Sequence, residues 1–186
     1  IEDDLSSKER MFRLIQGDVG SGKTIVSLIA ALNTINSGYQ VALMVPTEIL
    51  AKQHFNFSKV FFNSDVKIEL ITGKIDYSSK KKILERLESN KINLIIGTHS
   101  LFQKNIKFNS LGLIIIDEQH KFGVNQRKEL SDKGGENCDI LLMTATPIPR
   151  TLTMTIYGDM DLSIIKEKPK NRKVIKTYSK LESKIG

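Results

Sequence analysis

The chain has 186 residues, with 40% hydrophobic and 26% charged residues, a length and composition typical of one globular domain. The longest aliphatic run, 111–116, is far shorter than the roughly 20 apolar residues of a membrane-spanning helix, and a single cysteine, Cys138, excludes an internal disulfide and a cysteine metal cluster. The net charge of +7 favours an acidic partner such as nucleic acid, with a solvated basic surface as an equal alternative.

Short apolar runs alternate with helical periodicity along the chain, and this alternation predicts an α/β fold with right-handed crossovers. Several runs are continuous Val, Ile and Leu, which is typical of parallel strands covered on both faces. The predicted strands are 12–16, 40–45, 66–71, 92–96, 111–116 and 139–143. Helices are predicted over 23–37, 48–62 and 78–88, where apolar residues recur every three or four positions.

A glycine-rich loop, GDVGSGKT, follows the first predicted strand and matches the phosphate-binding pattern G-x-x-x-x-G-K-[ST] in full. Its glycines allow a tight turn, so that backbone N–H groups and a helix N-terminus face the phosphates. Lys23 would add charge at the outer phosphates, and the Thr24 hydroxyl would ligate Mg²⁺. A glycine-rich turn with a helix cap is the alternative. The predicted nucleotide site is Gly17, Asp18, Val19, Gly20, Ser21, Gly22, Lys23 and Thr24.

Two adjacent acids, Asp117 and Glu118, follow the strand 111–116. Ligands of open parallel sheets bind beyond the carboxyl ends of the strands, and the glycine-rich loop leaves that same end of its own strand. Asp117 is therefore predicted to bind Mg²⁺, directly or through water, and Glu118 to orient or deprotonate an attacking water. An exposed pair of loop acids is the alternative. PTE (46–48), GTHS (97–100) and TATP (144–147) follow other predicted strands at the same edge.

In this order, the motifs GDVGSGKT, PTE, GTH, DEQH and TAT resemble the first motor lobe of superfamily-two helicases and translocases. A finer resemblance, to the RecG family of bacterial ATP-dependent DNA helicases, is carried by RLIQGDVGSGKT (13–24), VALMVPTEILAKQH (41–54) and IIIDEQHKFGVNQR (114–127). The resemblance implies a three-layer RecA-like P-loop domain, with a mostly parallel central sheet flanked by helices.

The resemblance also implies residue roles. ATP and Mg²⁺ are the expected cofactors, and Glu118 and Lys23 are the expected catalytic residues. The residues expected to couple nucleotide state to movement are Gln119, His120, Thr144 and Thr146. The residues expected to contact the DNA backbone are Pro46, Thr47, Glu48, Gly97, Thr98 and His99. A helix cap at Thr47 is an alternative to a DNA contact, and both could hold together.

The domain organisation expected is a motor lobe over 1–165 and a basic linker over 166–186, leading toward a second motor lobe outside this chain. The resemblance implies a monomeric helicase of the bacterial cytoplasm and nucleoid, without membrane contact, that remodels branched DNA together with that second lobe and a wedge domain. The piece alone is expected to be weakly active. Two alternatives are the motor of a transcription-repair coupling translocase and a nucleotide-binding module without catalysis of its own.

Overall fold

The structure is a computed structural model that describes residues 1–103, 106–118, 135, 138–146 and 160–167. Its helices are α1 (Glu2–Leu5), α2 (Lys23–Asn36), α3 (Glu48–Phe61) and α4 (Tyr77–Glu88), and a 3₁₀ turn spans His99–Phe102. Its strands are β1 (Phe12–Gly17), β2 (Gln40–Met44), β3 (Ile68–Ile71), β4 (Leu94–Gly97), β5 (Leu111–Ile116), β6 (Asp139–Thr144) and β7 (Asp161–Ile165).

The described part of the chain forms one sheet of seven strands in the order β3-β4-β2-β5-β6-β1-β7. Every strand pairing in this sheet is parallel. All carboxyl ends of the strands therefore lie along one edge of the sheet, which we call the carboxyl edge. The predicted parallel α/β fold is confirmed, and the sequence motifs that follow β1, β2, β4, β5 and β6 all lie at this edge.

Helices cover both faces of the sheet. Leu28 of α2 and Ala51 of α3 pack with Ile115 on one face, whereas Leu87 of α4 packs with Ile114 on the other. Neighbouring residues of β5 thus go to opposite cores, as the alternation of side chains along a strand requires. The predicted three-layer arrangement is confirmed. No helix in the described ranges is long and apolar enough to cross a membrane.

The predicted elements are present, with shifted ends. β3 and β4 begin later than predicted, at Ile68 and Leu94, and α4 begins one residue earlier, at Tyr77. Gly38, with φ 88°, follows the C-cap of α2 in the left-handed conformation that commonly ends a helix. The strand β7 was not predicted. It is a short edge strand with an irregular burial pattern, so neither strict alternation nor a continuous apolar run marks it in the sequence.

At the opposite, amino edge of the sheet, polar groups have a structural role. The side chain of Gln40 is buried, donates to the carbonyls of Leu87 and Ile92, and accepts from the N–H groups of Asn109 and Ser110. Its amide thereby ties the end of α4 to the start of β5. Because each polar atom of that amide is satisfied, its burial carries no unpaired-group penalty.

Asp139 and Cys138 lie at the same amino edge. Asp139 accepts from the backbone N–H of Met11 at 2.7 Å, and burial raises the pKa of its carboxyl group. Burial also raises the pKa of the Cys138 thiol to about 12, which makes this thiol unreactive at neutral pH. The Asp139 carboxyl group holds the chain just before β1 against β6, and both residues lie at the edge opposite the predicted site.

Candidate functional site

The glycine-rich loop joins β1 to α2 and takes its shape from two left-handed residues. Gly20 has φ 80° and Gly22 has φ 95°, a region that L side chains rarely adopt. Gly22 is the N-cap of α2, and an added Cβ there would meet nothing within 4 Å. Gly22 is therefore required for backbone conformation, and no side chain caps the first N–H groups of α2. This geometry fits an anion at a helix N-terminus.

Gly17 is a glycine for a different reason from the predicted one. It is the last residue of β1, and an added Cβ would lie 2.5 Å from Ser21 Oγ and 3.1 Å from Ile165 Cβ. Close packing, rather than a turn, excludes a side chain at this position. The Ser21 hydroxyl itself is buried and has no hydrogen-bond partner among the described residues. A buried hydroxyl without a partner inside the loop fits a ligand oxygen as its missing partner.

The ammonium group of Lys23 lies over the loop. Its Nζ donates to the carbonyl of Gly17 at 2.7 Å and to the carbonyl of Asp18 at 3.0 Å. Lys23 is also the first residue of α2, so its charge adds to the positive end of the helix dipole. The loop thus concentrates positive potential where the sequence predicts phosphates.

Asp117 and Glu118 follow the end of β5, and the backbone turns at Glu118. The Asp117 N–H donates to the carbonyl of Met44 at 2.9 Å, which holds this residue against the end of β2. Glu118 has φ 52°, an uncommon conformation for a residue with a Cβ. This turn breaks the strand alternation that would otherwise send the two acids to opposite faces of the sheet. Both acids instead border one cavity.

The cavity at the carboxyl edge has a volume of about 400 Å³, within the range of roughly 300–1,000 Å³ typical of small-molecule sites. The structure therefore brings the predicted phosphate loop and acid pair together. The residues that line it are Val19, Gly20, Gly22, Lys23, Thr24, Ile25, Leu50, Gln53, His54, Phe57, Asp117, Glu118 and Ala145.

One residue of this cavity, His54, was not predicted as part of the site. Its Nε2 atom lies 2.9 Å from Oδ2 of Asp117, and both side chains are largely buried, with exposed fractions of 8% and 14%. Gln53 and Phe57 of the same helix also line the cavity. Residues on α3 are more than 50 positions from Asp117, and only the packing of α3 on the sheet reveals their proximity.

The residues present fit a Mg²⁺-nucleotide. Among the described residues, no group of three or more His, Cys, Asp and Glu could form a metal cage. Magnesium in nucleotide sites needs fewer protein ligands, because one or two oxygen ligands combine with phosphate oxygens and water. Thr24 and Asp117 border the same cavity and supply a hydroxyl and a carboxylate.

The predicted coupling residues are only partly described. Thr144 ends β6, its Oγ1 lies 2.8 Å from Oγ1 of Thr146, and it accepts from the Thr146 N–H at 3.1 Å. Ala145, between them, lines the nucleotide cavity. This segment therefore adjoins the acid pair, as a coupling role requires. Gln119 and His120 lie outside the described residues.

The two segments predicted to contact DNA follow β2 and β4, which are neighbours in the sheet. Their side chains already have partners within the protein. Thr47 Oγ1 accepts from the N–H of Leu50 at 3.3 Å and caps α3, and Glu48 Oε1 accepts from the N–H of Gly73 at 3.1 Å. Thr98 is buried, and its hydroxyl lies 3.4 Å from that of Ser100.

The remaining residues of the two segments are Gly97, Pro46 and His99. An added Cβ at Gly97 would lie 2.7 Å from the carbonyl oxygen of Ile71 and 2.9 Å from Leu101 Cγ, so this glycine is required for packing. Pro46 is partly exposed and His99 is exposed. The structure therefore places all six predicted residues together at the carboxyl edge and shows a structural role for four of them, Thr47, Glu48, Gly97 and Thr98.

Sequence comparison identifies the family. The profile of the DEAD/DEAH box helicases matches residues 3–155. The chain belongs to the DEAD/DEAH box helicase family. Its relatives include "ATP-dependent DNA helicase RecG" of Bacillus subtilis, 53% identical over 94% of this chain and 26% of the relative. RecG of Aquifex aeolicus is 51% identical over 98% of this chain and 23% of the relative.

Solved structures agree with this assignment. A structure of RecG bound to a three-way DNA junction has a TM-score of 0.78 and 42% identity, covering 92% of this chain and 23% of that chain. The DEAD-box helicase Mss116, 20% identical with a TM-score of 0.68 over 90% of this chain and 39% of that chain, shows the fold alone. The resemblance to RecG is confirmed, and this DEAD/DEAH box lobe spans about a quarter of the curated relatives it matches.

Proposed function

We propose that this chain is the ATP-binding motor lobe of a DNA helicase or translocase that hydrolyses ATP to remodel branched DNA, including replication forks and recombination intermediates. The observation that carries the proposal is the convergence of the phosphate loop and the acid pair on one cavity. The names of the relatives and the DNA junction bound by the similar RecG structure support the DNA substrate.

In the proposed ATPase site, Gly17 to Thr24 surround the phosphates and the Lys23 ammonium offsets their charge. Thr24 and Asp117 would hold Mg²⁺, which would supply positive charge against the negative charge that develops during phosphoryl transfer. Glu118 borders the same cavity one residue beyond the metal carboxylate, and its left-handed backbone directs it to a different position. From there it orients and deprotonates the attacking water.

The proposed DNA contact lies beside this site and relies mainly on the backbone. Thr47, Glu48 and Thr98 have internal partners, so their chief contribution is to fix the segments. The N–H groups of Glu48 and Ile49 in α3 and the first N–H groups of the 3₁₀ turn would then face the sugar–phosphate backbone, together with the exposed His99. Backbone N–H groups and helix N-termini are ordinary phosphate donors in protein–DNA complexes.

Coupling between the two sites is assigned to the segment Thr144–Thr146, together with the predicted Gln119 and His120. The full-length protein would supply a second motor lobe and a DNA-binding wedge domain, would act as a monomer, and would work at the bacterial nucleoid. An arginine supplied from another lobe or protein is worth roughly 10³–10⁵ in rate in related nucleotide hydrolases. The lobe alone is therefore expected to bind Mg-nucleotide weakly and to turn over little.

The test is a Glu118→Gln variant of the full-length protein, with Glu88→Gln, an exposed acid at the end of α4, as the matched control. We expect ATP hydrolysis stimulated by forked DNA to fall by about 10²–10⁴-fold, because a general base is lost. Nucleotide binding should stay near the parental value, and Glu88→Gln should hydrolyse ATP normally. Full hydrolysis by Glu118→Gln would refute the water-activating role. A parent protein that binds nucleotide without hydrolysing it would favour the non-catalytic module.

A further inference from the structure

Both oxygens of the Asp117 carboxylate have partners in the protein. Oδ1 accepts from the backbone N–H of Glu118 at 2.9 Å, and Oδ2 lies 2.9 Å from Nε2 of His54. A carboxylate can only accept hydrogen bonds, so Nε2 carries the hydrogen in this contact. Each oxygen still has a second lone pair, which leaves the carboxylate able to bind a cation or a metal-bound water.

His54 comes from a distant part of the chain and is held rigidly. It lies in the second turn of α3, whose first turn is capped by Thr47, and its side chain is 8% exposed. A buried imidazole is unfavourable unless it has a hydrogen-bond partner, and Asp117 is that partner. Ala51, one turn before His54, is fully buried against the sheet, and α3 packs mainly over β3 and β4.

We propose that His54 is a positioning residue, whose hydrogen bond orients the Asp117 carboxylate. The position of α3 on the sheet therefore determines how tightly the proposed ATPase site binds Mg²⁺. The inference rests on the proposed function. The second side-chain torsion of an aspartate is broad when it is unconstrained, and two hydrogen bonds, one to each oxygen, restrict it to one orientation. Partners of this kind behind a metal ligand typically contribute about 10–100-fold to metal affinity.

The same helix links this contact to the residues of the carboxyl edge that are predicted to contact DNA. Thr47 and Glu48 begin α3, and Glu48 holds the turn at Gly73. His54 follows Thr47 by seven positions, which is roughly 10 Å along a helix that rises 1.5 Å per residue. A helix of this length is a rigid element, so a displacement of its first turn would change the distance between His54 Nε2 and Asp117 Oδ2.

Two substitutions of similar size separate the hydrogen bond from packing. In His54→Gln the amide Nε2 is separated from Cα by the same number of bonds as Nε2 of histidine, so a donor remains in reach of Asp117. His54→Leu fills a comparable volume without a donor. Lys52→Ala, on the exposed side of α3, is the control for changes to the helix itself.

The experiment titrates Mg²⁺ into the full-length protein with a fluorescent, non-hydrolysable ATP analogue and follows its binding by anisotropy, with and without forked DNA. His54→Leu should raise the half-maximal Mg²⁺ concentration by about 10–100-fold, leave the affinity in EDTA unchanged, and remove the effect of DNA on the Mg²⁺ requirement. His54→Gln should restore the Mg²⁺ requirement to near the parental value, and Lys52→Ala should match the parent throughout.

A folded His54→Leu variant with the parental Mg²⁺ requirement would overturn the inference, as would a His54→Gln variant as impaired as His54→Leu. If His54→Leu does not fold, His54→Asn replaces it, because its shorter amide cannot reach Oδ2 of Asp117. A parental Mg²⁺ requirement in His54→Asn would then overturn the inference. A parent that shows no Mg²⁺-dependent nucleotide binding would instead refute the proposed function, so the two failures are distinguishable.

Discussion

The predicted nucleotide site and the predicted DNA segments lie next to each other on the carboxyl edge, but they use their polar side chains differently. At the nucleotide site Lys23, Thr24 and the acid pair border a cavity of about 400 Å³. At the DNA segments the Thr47 hydroxyl caps a helix and the Glu48 carboxylate binds the backbone of a neighbouring turn. The side chains of the first site line a cavity, whereas those of the second only fix the backbone.

This difference follows from what each ligand offers. A triphosphate with a metal ion is small and highly charged, so a few converging side chains can enclose it. A sugar–phosphate backbone is extended and repeats without sequence information, and main-chain N–H groups held at fixed positions suit it. A motif residue can therefore be required for different reasons at the two sites. At the predicted nucleotide site it would contact the ligand, and at the predicted DNA segments it holds the backbone in place.

The largest expected effect is at the nucleotide site. Lys23→Ala should lower ATP hydrolysis by about 10²–10³-fold, the effect of removing one preorganised donor from developing charge. Nucleotide affinity should fall as well, while DNA binding without nucleotide should stay near the parental value. Steady-state hydrolysis and DNA anisotropy measure the two effects, with Lys82→Ala on the exposed side of α4 as control. If Lys23→Ala also lost DNA binding, the nucleotide site and the DNA segments would not be functionally separate.

A substitution that disturbs packing in the predicted DNA segments should have an intermediate effect, on stability. Gly97→Ala places a Cβ 2.7 Å from the carbonyl oxygen of Ile71, and we expect a loss of about 1–3 kcal/mol in the free energy of unfolding from overpacking. Gly73→Ala, where the nearest atom is the flexible end of Glu48 at 3.3 Å, should change it by about 0.5 kcal/mol or less. Urea unfolding monitored by circular dichroism compares them, and equal stabilities would show that Gly97 has no packing role.

The cap of α3 should have a smaller effect. Thr47→Ala removes the acceptor for the Leu50 N–H, so we expect about 1 kcal/mol lower stability and weaker DNA binding through a frayed first turn. Thr47→Ser retains the hydroxyl and should restore both properties. Urea unfolding and DNA anisotropy make the comparison. If Thr47→Ala weakened DNA binding with no change in stability, Thr47 would be a direct DNA contact rather than a brace.

The smallest effect is expected for Lys74, whose side chain is 87% exposed and lies 4.0 Å from Glu48 at the DNA edge. Lys74→Gln should reduce the slope of log affinity against log salt concentration by about 0.9, the value for one phosphate contact on duplex DNA. Lys91→Gln, at the amino edge before β4, should leave the slope unchanged. Salt titrations of DNA binding provide the measurement, and identical slopes for the two variants would place the DNA elsewhere.

Most of the fold could be predicted, because buried parallel strands have continuous apolar sequences and the helices between them have clear periodicity. The run LGLIII at β5 is an example, with all of its residues but Gly112 buried. The phosphate loop was predictable as well, since its spacing and its position between a strand and a helix agree. The parallel arrangement then placed the acid pair at the same edge, which the cavity confirms.

The other features of the site could not be predicted, because most depend on contacts between residues that are distant in the sequence. The contact of His54 with Asp117 joins residues 63 positions apart, and periodicity assigns His54 only to a helix. The reason for Gly17 is the proximity of Ile165 on β7, an edge strand that was itself not predicted. The left-handed backbone of Glu118 was also not foreseeable, because this conformation is uncommon for a residue with a side chain.

The position of β7 carries one more consequence. Gly17, where the phosphate loop begins, is paired with Ile165, where β7 ends, and the described chain continues directly into Lys166 and Glu167. The segment that leaves the sheet here is thus anchored beside the first residue of the loop. A force applied to that segment would therefore act on Gly17 and the start of the glycine-rich loop through the pairing of β7 with β1.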